Sequence, residues 1–175
     1  MHVSLLTLAN PSPESSFFRP RAFETAIAQL MAYYFEEDLS RSGTEQDWFV
    51  PTNWEPLDRF PCIAARFDAI QNTKLGLFDR RRYCYLPLSD EHLLEVVLPT
   101  QRYPVYLSLE GEPESDVNHW VSEEPMKKLA NALLDSLEIR FSAEAERQQA
   151  KALEGLSADQ RKLSETFAPL KWTTA

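Results

Sequence analysis

The side chains able to do chemistry are few, and their spacing does not suit it. The chain has 175 residues, with three histidines (His2, His92, His119) and two cysteines (Cys62, Cys84). His92 and Glu95 stand three apart in an apolar run that reads as a strand. They therefore point to opposite faces and cannot share a metal. Asp116 and His119 would share a face if the following helix began early, but two ligands without a third do not make a metal centre. No Gly-x-Ser-x-Gly elbow and no glycine-rich phosphate loop occurs, and the chain holds only four glycines. Cys84 precedes Ser89 in a strand-like stretch, with no histidine placed by sequence to activate it. Both cysteines sit among apolar residues, which predicts buried thiols and no disulfide framework. The acid pairs Asp90-Glu91 and Glu123-Glu124 read as a turn and a helix start, not as a glycosidase pair. The expectation is a protein without catalytic residues, metal or cofactor.

Charge narrows the partner. There are 27 acidic and 18 basic side chains, a net charge of −9. A surface of that sign repels nucleic acid and anionic lipid at long range, and it suits a basic protein partner or simply solubility. Residues 1–140 hold the whole excess, with 22 acidic and 13 basic side chains. Residues 141–175 hold five of each. Arg80-Arg81-Arg82 beside Tyr83 and Tyr85 is the one basic-aromatic patch. It is too small for a nucleic-acid surface, and its arginines are expected to pair with nearby carboxylates, a contact to an anionic ligand being the lesser reading.

Aromatic residues are the better lead to binding. Trp48, Phe49, Trp54 and Phe60 fall in a proline-broken stretch together with Asp47, Glu55, Asp58 and Arg59. Tryptophans in such stretches often fill cores, but they also anchor interfaces, where one rigid ring gives much contact area. The turn from Leu88 to His92 and the loop from Gly111 to Trp120 form a second acidic-aromatic region. The partner-binding candidates are Trp48, Trp54, Asp58, Asp90, Glu91, His92 and Trp120.

The elements that position these residues follow from pattern. His2 to Leu8 reads as a strand and Asn10 to Pro20 as a Ser/Pro loop. Arg21 to Ser40 reads as a helix with an apolar stripe of Phe23, Ala26, Ile27, Leu30, Met31, Tyr34 and Phe35. Short strands are expected at Trp48 to Val50 and at Trp54, interrupted by Pro51 and Pro56. Pro61 to Ile70 reads as a strand with Ile63, Ala65, Phe67 and Ala69 on one face and Cys62, Ala64, Arg66 and Asp68 on the other. Further strands are predicted at Arg82 to Pro87, His92 to Leu98 and Val105 to Leu109. Ser122 is placed to cap a helix whose Met126, Leu129, Ala130, Leu133, Leu134 and Leu137 form one buried face. Ser142 to Ala152 reads as an exposed helix. Ser157 with Gln160 predicts a capping box for a last helix through Phe167. The segment from Pro169 onward reads as loose.

Taken together, these elements predict a single α+β domain over residues 1–141. Its antiparallel sheet has about five or six strands, and a charged helical tail over 142–175 is not a separate domain. No run reaches the apolar length of a membrane span, and Met1 to Leu8 lacks the basic and apolar regions of a signal peptide. A cytoplasmic protein is expected.

The order of elements resembles small bacterial proteins of the Mog1/PsbP-like α/β/α kind. The likeness rests on the strand from Pro61, the Leu86-Pro87-Leu88-Ser89-Asp90-Glu91-His92 turn and the apolar strand ending at Leu98. It continues in the closing helix from Glu123 to Leu137, with Ser136-Leu137-Glu138-Ile139 after it. It covers residues 45–141. The helix from Arg21 and the tail after Ser142 depart from it. The resemblance implies an antiparallel sheet between helices and a binding role, in some members tied to secretion systems and toxin immunity. The function expected is a non-enzymatic immunity protein that occludes a basic toxin or effector. The alternatives are a secretion chaperone, with the tail as its arm or homodimer contact, and a small enzyme assembled around Cys84, His92 and His119.

Overall fold

Alternating apolar residues build the sheet of this molecule. A computed structural model describes residues 1–7, 15–42, 48–72, 78–100, 122 and 124–167. The elements are β1 (His2–Thr7), α1 (Pro20–Ser42), β2 (Trp48–Pro56), β3 (Ala65–Asn72), β4 (Phe78–Pro87), β5 (His92–Pro99), α2 (Glu124–Asp135) and α3 (Ala143–Ala152). A 3-10 turn follows at Asp159–Arg161. The five strands form one antiparallel sheet in the order β1-β5-β4-β3-β2. With its packed helices this is an α+β fold, as the sequence pattern predicts.

Helices cover both faces. On the front face, Phe23, Ile27, Met31 and Phe35 of α1 are completely buried. They lie four apart, so they make one stripe along the helix. That stripe packs on Phe67, Ala69, Tyr83, Tyr85 and Leu93. Each such apolar side chain contributes roughly 1.5–3 kcal/mol on burial. Phe67, Tyr83 and Tyr85 stack across β3 and β4, with ring centroids 5.4–6.1 Å apart. On the back face, Ala130 and Leu134 of α2 pack on Cys84, Val96 and Leu98. Ala145 and Ala152 of α3 close a second back cluster with Phe18, Phe60, Cys62 and Leu86. The alternation read over Pro61 to Ile70 holds: Ile63, Ala65, Phe67 and Ala69 join the front core, while Cys62 and Ala64 join the back cluster.

Several boundaries differ from the sequence reading. β2 is one strand and not two. It runs through Pro51 by way of a cis Val50–Pro51 bond, a positive φ at Asn53, and two register shifts against β3. β3 begins at Ala65 instead of Pro61, because Leu57 N–H bonds the Ala64 carbonyl at 2.8 Å and closes residues 57–64 into a loop. The Ser157–Gln160 box forms reciprocally, with bonds of 2.9 and 3.4 Å. It starts only the 3-10 turn, after which Leu163 turns into the front core. The tail is also less exposed than expected, since residues 142–167 lie on the body. The strand expected over Val105 to Leu109 and the loop to Trp120 fall outside the described residues.

Candidate binding surface

Register decides which side chains share a face. Cys84 pairs with Val96, and Val96 with Val3. Leu86 pairs with Leu94, and Leu94 with Leu5. Directly opposite residues project to the same side of a sheet. Val3 and Leu5 therefore lie on the back face, in rows with side chains that α2 and α3 bury. Yet Val3 is 52% exposed and Leu5 59% exposed. Among the described residues, α2 and α3 leave the back of β1 partly uncovered.

A polar network sets where α2 sits. Asp68 is 1% exposed and pairs with Arg82 through Nε at 2.8 Å and Nη2 at 3.2 Å. Asn53 donates a third bond to the Asp68 carboxylate at 2.9 Å. Hydrogen bonding to Asp68 raises the Arg82 pKa further, which holds its charge. Arg82 Nη1 donates to Asn131 Oδ1 on α2 at 2.6 Å, and Arg66 Nη1 reaches the same oxygen at 3.5 Å. Arg66 is itself held by Glu55 through bonds of 2.6 and 2.9 Å. At the far end of α2, Arg59 donates to the carbonyls of Leu134 and Asp135. A guanidinium there satisfies orphan C=O groups and complements the helix dipole. Ser122 Oγ accepts from Glu124 N–H at 3.2 Å near the first turn.

This anchoring exposes part of the stripe expected to be buried. Asn131 faces β3 and β4. Met126, Leu129 and Leu133 lie roughly 140–160° around the helix from it, at about 100° per residue. They therefore occupy the flank of α2 on the β1 side. They are 49%, 53% and 37% exposed. Only Ala130 and Leu134 of α2 are buried. Met126, Leu129 and Leu133 on that flank, with Val3 and Leu5 on the back of the edge strand, are thus apolar side chains left exposed on one side of the molecule. Pattern reasoning missed this surface. Its signals were a stripe wider than one helix–sheet contact buries, and a strand, HVSLLT, with neither charge nor proline.

The residues singled out by sequence scatter. Trp48 is 1% exposed and belongs to the front core, with Arg81 over its ring at 4.9 Å. Trp54 is half-buried, stacked on Phe67 and against Phe167, and its indole N–H bonds the Ser164 carbonyl. Asp58 is exposed in the β2–β3 loop. Asp90 accepts from the Ser16 hydroxyl, and its own N–H bonds Gln148. Glu91 is exposed beside it. Ser89 Oγ lies 2.8 Å from His92 Nδ1 and accepts from the Glu91 and His92 N–H groups, which closes the turn. Asp90, Glu91 and His92 thus lie together in one turn, away from Trp54. Trp120 lies outside the described residues. His92 and Glu95 face opposite sides of the sheet, as their spacing requires.

Two sets of ionisable groups are buried in the core. Glu95 is 3% exposed under α1 and accepts from the Tyr85 hydroxyl, with Tyr34 as a second hydrogen-bond partner. Burial and the nearby carboxylate push Tyr34 up to about 12 and raise Tyr85 as well. Burial pushes both Cys62 and Cys84 up to about 12, away from thiolate chemistry. Among the described residues no group of three His, Cys, Asp or Glu side chains is placed to hold a metal, and no helix is long and apolar enough to cross a membrane. No protein-family model, curated protein or solved structure matches the chain.

Proposed function

We propose that this chain is a non-enzymatic protein-binding module of the bacterial cytosol that neutralises or escorts a toxic effector. The observation that carries the reading is the exposed apolar surface of Val3, Leu5, Met126, Leu129 and Leu133. Contiguous apolar surface left open on a folded domain marks a contact site. The net charge of −9 adds long-range attraction for a basic partner. As an immunity protein the chain would occlude a toxin. As a secretion chaperone it would hold a segment of its client. The lack of charge in the surface favours the second use, since plugging a basic cleft calls for carboxylates at the contact.

The test compares the wild-type chain with a Leu129→Glu/Leu133→Glu double variant as bait in the native cell, at low and moderate salt. One stoichiometric partner is expected, toxic when expressed alone and lost from the variant. A partner toxic even with this chain co-expressed, but unsecreted without it, identifies escort over immunity. Equal capture by both baits overturns the surface as the contact.

A further inference from the structure

The two edges of the sheet are built differently. β2 carries Pro51 and Pro56, two register shifts and a positive φ at Asn53. Prolines and bulges are how natural edges resist strand addition. β1 has none of these devices. Its sequence is uncharged and proline-free, and its register with β5 is unbroken from His2 to Thr7. Among the described residues no strand pairs with its outer side. An open edge dictates the conformation of what binds it, because its row of N–H and C=O groups is matched only by another extended backbone. The side chains dictate composition. A strand added beside β1 would lay every second residue on the back face next to Val3 and Leu5, facing the Leu129–Leu133 flank of α2 across them. All those residues are apolar.

Charge selects the source. A second copy of this chain would set another net charge of −9 against its own. A basic partner would be drawn to it.

We infer that β1 accepts an extended segment of the partner as a sixth strand, with apolar residues at alternate positions and basic residues at its ends. This deepens the binding reading above and rests on it.

The probe is a fluorescent synthetic peptide of valine and leucine alternating with threonine, with lysines at both ends, titrated into the full chain. Saturable binding is expected, with slowed amide exchange in β1. Leu5→Lys and Leu129→Glu should each weaken it about tenfold or more, as loss of a contact anchor does. Both side chains are over half exposed, so the fold should survive, which thermal melting checks. Methylating alternate peptide nitrogens should abolish binding to the wild-type chain, a readout independent of any variant. Glutamates in place of the lysines should weaken binding more at low salt than at high. No saturation by about 1 mM, the level of a barely measurable contact, would overturn the inference. So would equal binding of a helix-stabilised peptide of the same composition, or a dimer in light scattering that Leu5→Lys dissolves. A partner that depends on Leu129 while the peptide fails would sink strand addition alone. A partner indifferent to Leu129 would sink the binding surface with it.

Discussion

Buried polar side chains decide how this protein responds to pH. Tyr34 and Tyr85 both hydrogen-bond Glu95 beneath α1. Their folded pKa values stand above the ordinary phenol value of 10.0. Neutral phenols are therefore favoured in the fold. Their contribution is complete below pH 10 and is lost as pH rises through the folded values, about 12 for Tyr34. This contribution to stability should fall above about pH 10. Tyr85→Phe removes one donor from a buried carboxylate and should cost about 1–3 kcal/mol at neutral pH. It should also flatten the alkaline fall. Urea titrations across that range check both, and an unchanged alkaline slope in Tyr85→Phe would refute the assignment. The thiols give a second prediction. With Cys84 fully buried, Cys62 8% exposed and both held near 12, the native chain should resist a thiol reagent at pH 8. Denaturant should release both cysteines to it. Rapid labelling of the native chain would show that α2 and α3 lift readily from the sheet.

A single helix, α2, holds both the clearest success and the clearest failure of pattern reading. Ser122 near its start, its sheet-facing Ala130 and Leu134, and its place after the strands were all legible, because capping chemistry and a 3.6-residue period are local signals. The exposure of Met126, Leu129 and Leu133 was not. Periodicity measures how wide an apolar stripe is, but not how much of it a sheet covers. That depends on where Asn131 meets Arg82 and Arg66, a contact between residues 49 and 65 positions apart. The same limit applies to Trp48 and Trp54. Their types announced contact area, and only the strand pairing assigned Trp48 to the core. Single truncations in α2 should divide accordingly. Leu134→Ala should cost about 2–5 kcal/mol. Leu129→Ala should stay within about 0.5 kcal/mol of the wild type. Chemical denaturation of the two variants tests this, and similar costs would mean that the outer flank is buried in solution.

At the scale of the whole molecule, the tail belongs to the body. Ala145 and Ala152 close the back cluster over Phe18, Phe60, Cys62 and Leu86. Gln148 accepts from the Asp90 N–H, and Gln149 donates to the Pro61 carbonyl. Arg19 donates to the Ala152 carbonyl at 2.9 Å, which ties the tail to the entrance of α1. Beyond α3 the chain crosses to the other side. There Ser164 N–H bonds Glu24, its carbonyl accepts from Trp54, and Leu163 enters the front core. One segment thus fastens both layers of helices to the sheet. Its buried apolar residues are occupied within the same chain. Deleting residues 143–175 should therefore act on stability before it acts on assembly. It uncovers two phenylalanines and a leucine on the back face and removes Leu163 from the front. A loss of several kcal/mol should follow, and at this chain length each kcal/mol lowers Tm by about 2–4 °C. Light scattering with a hydrophobic dye should find the truncated chain dye-binding and prone to self-association. A truncated chain that melts at the wild-type temperature and stays monomeric would mean that the body folds without its fastening. The tail would then be available to a partner after all.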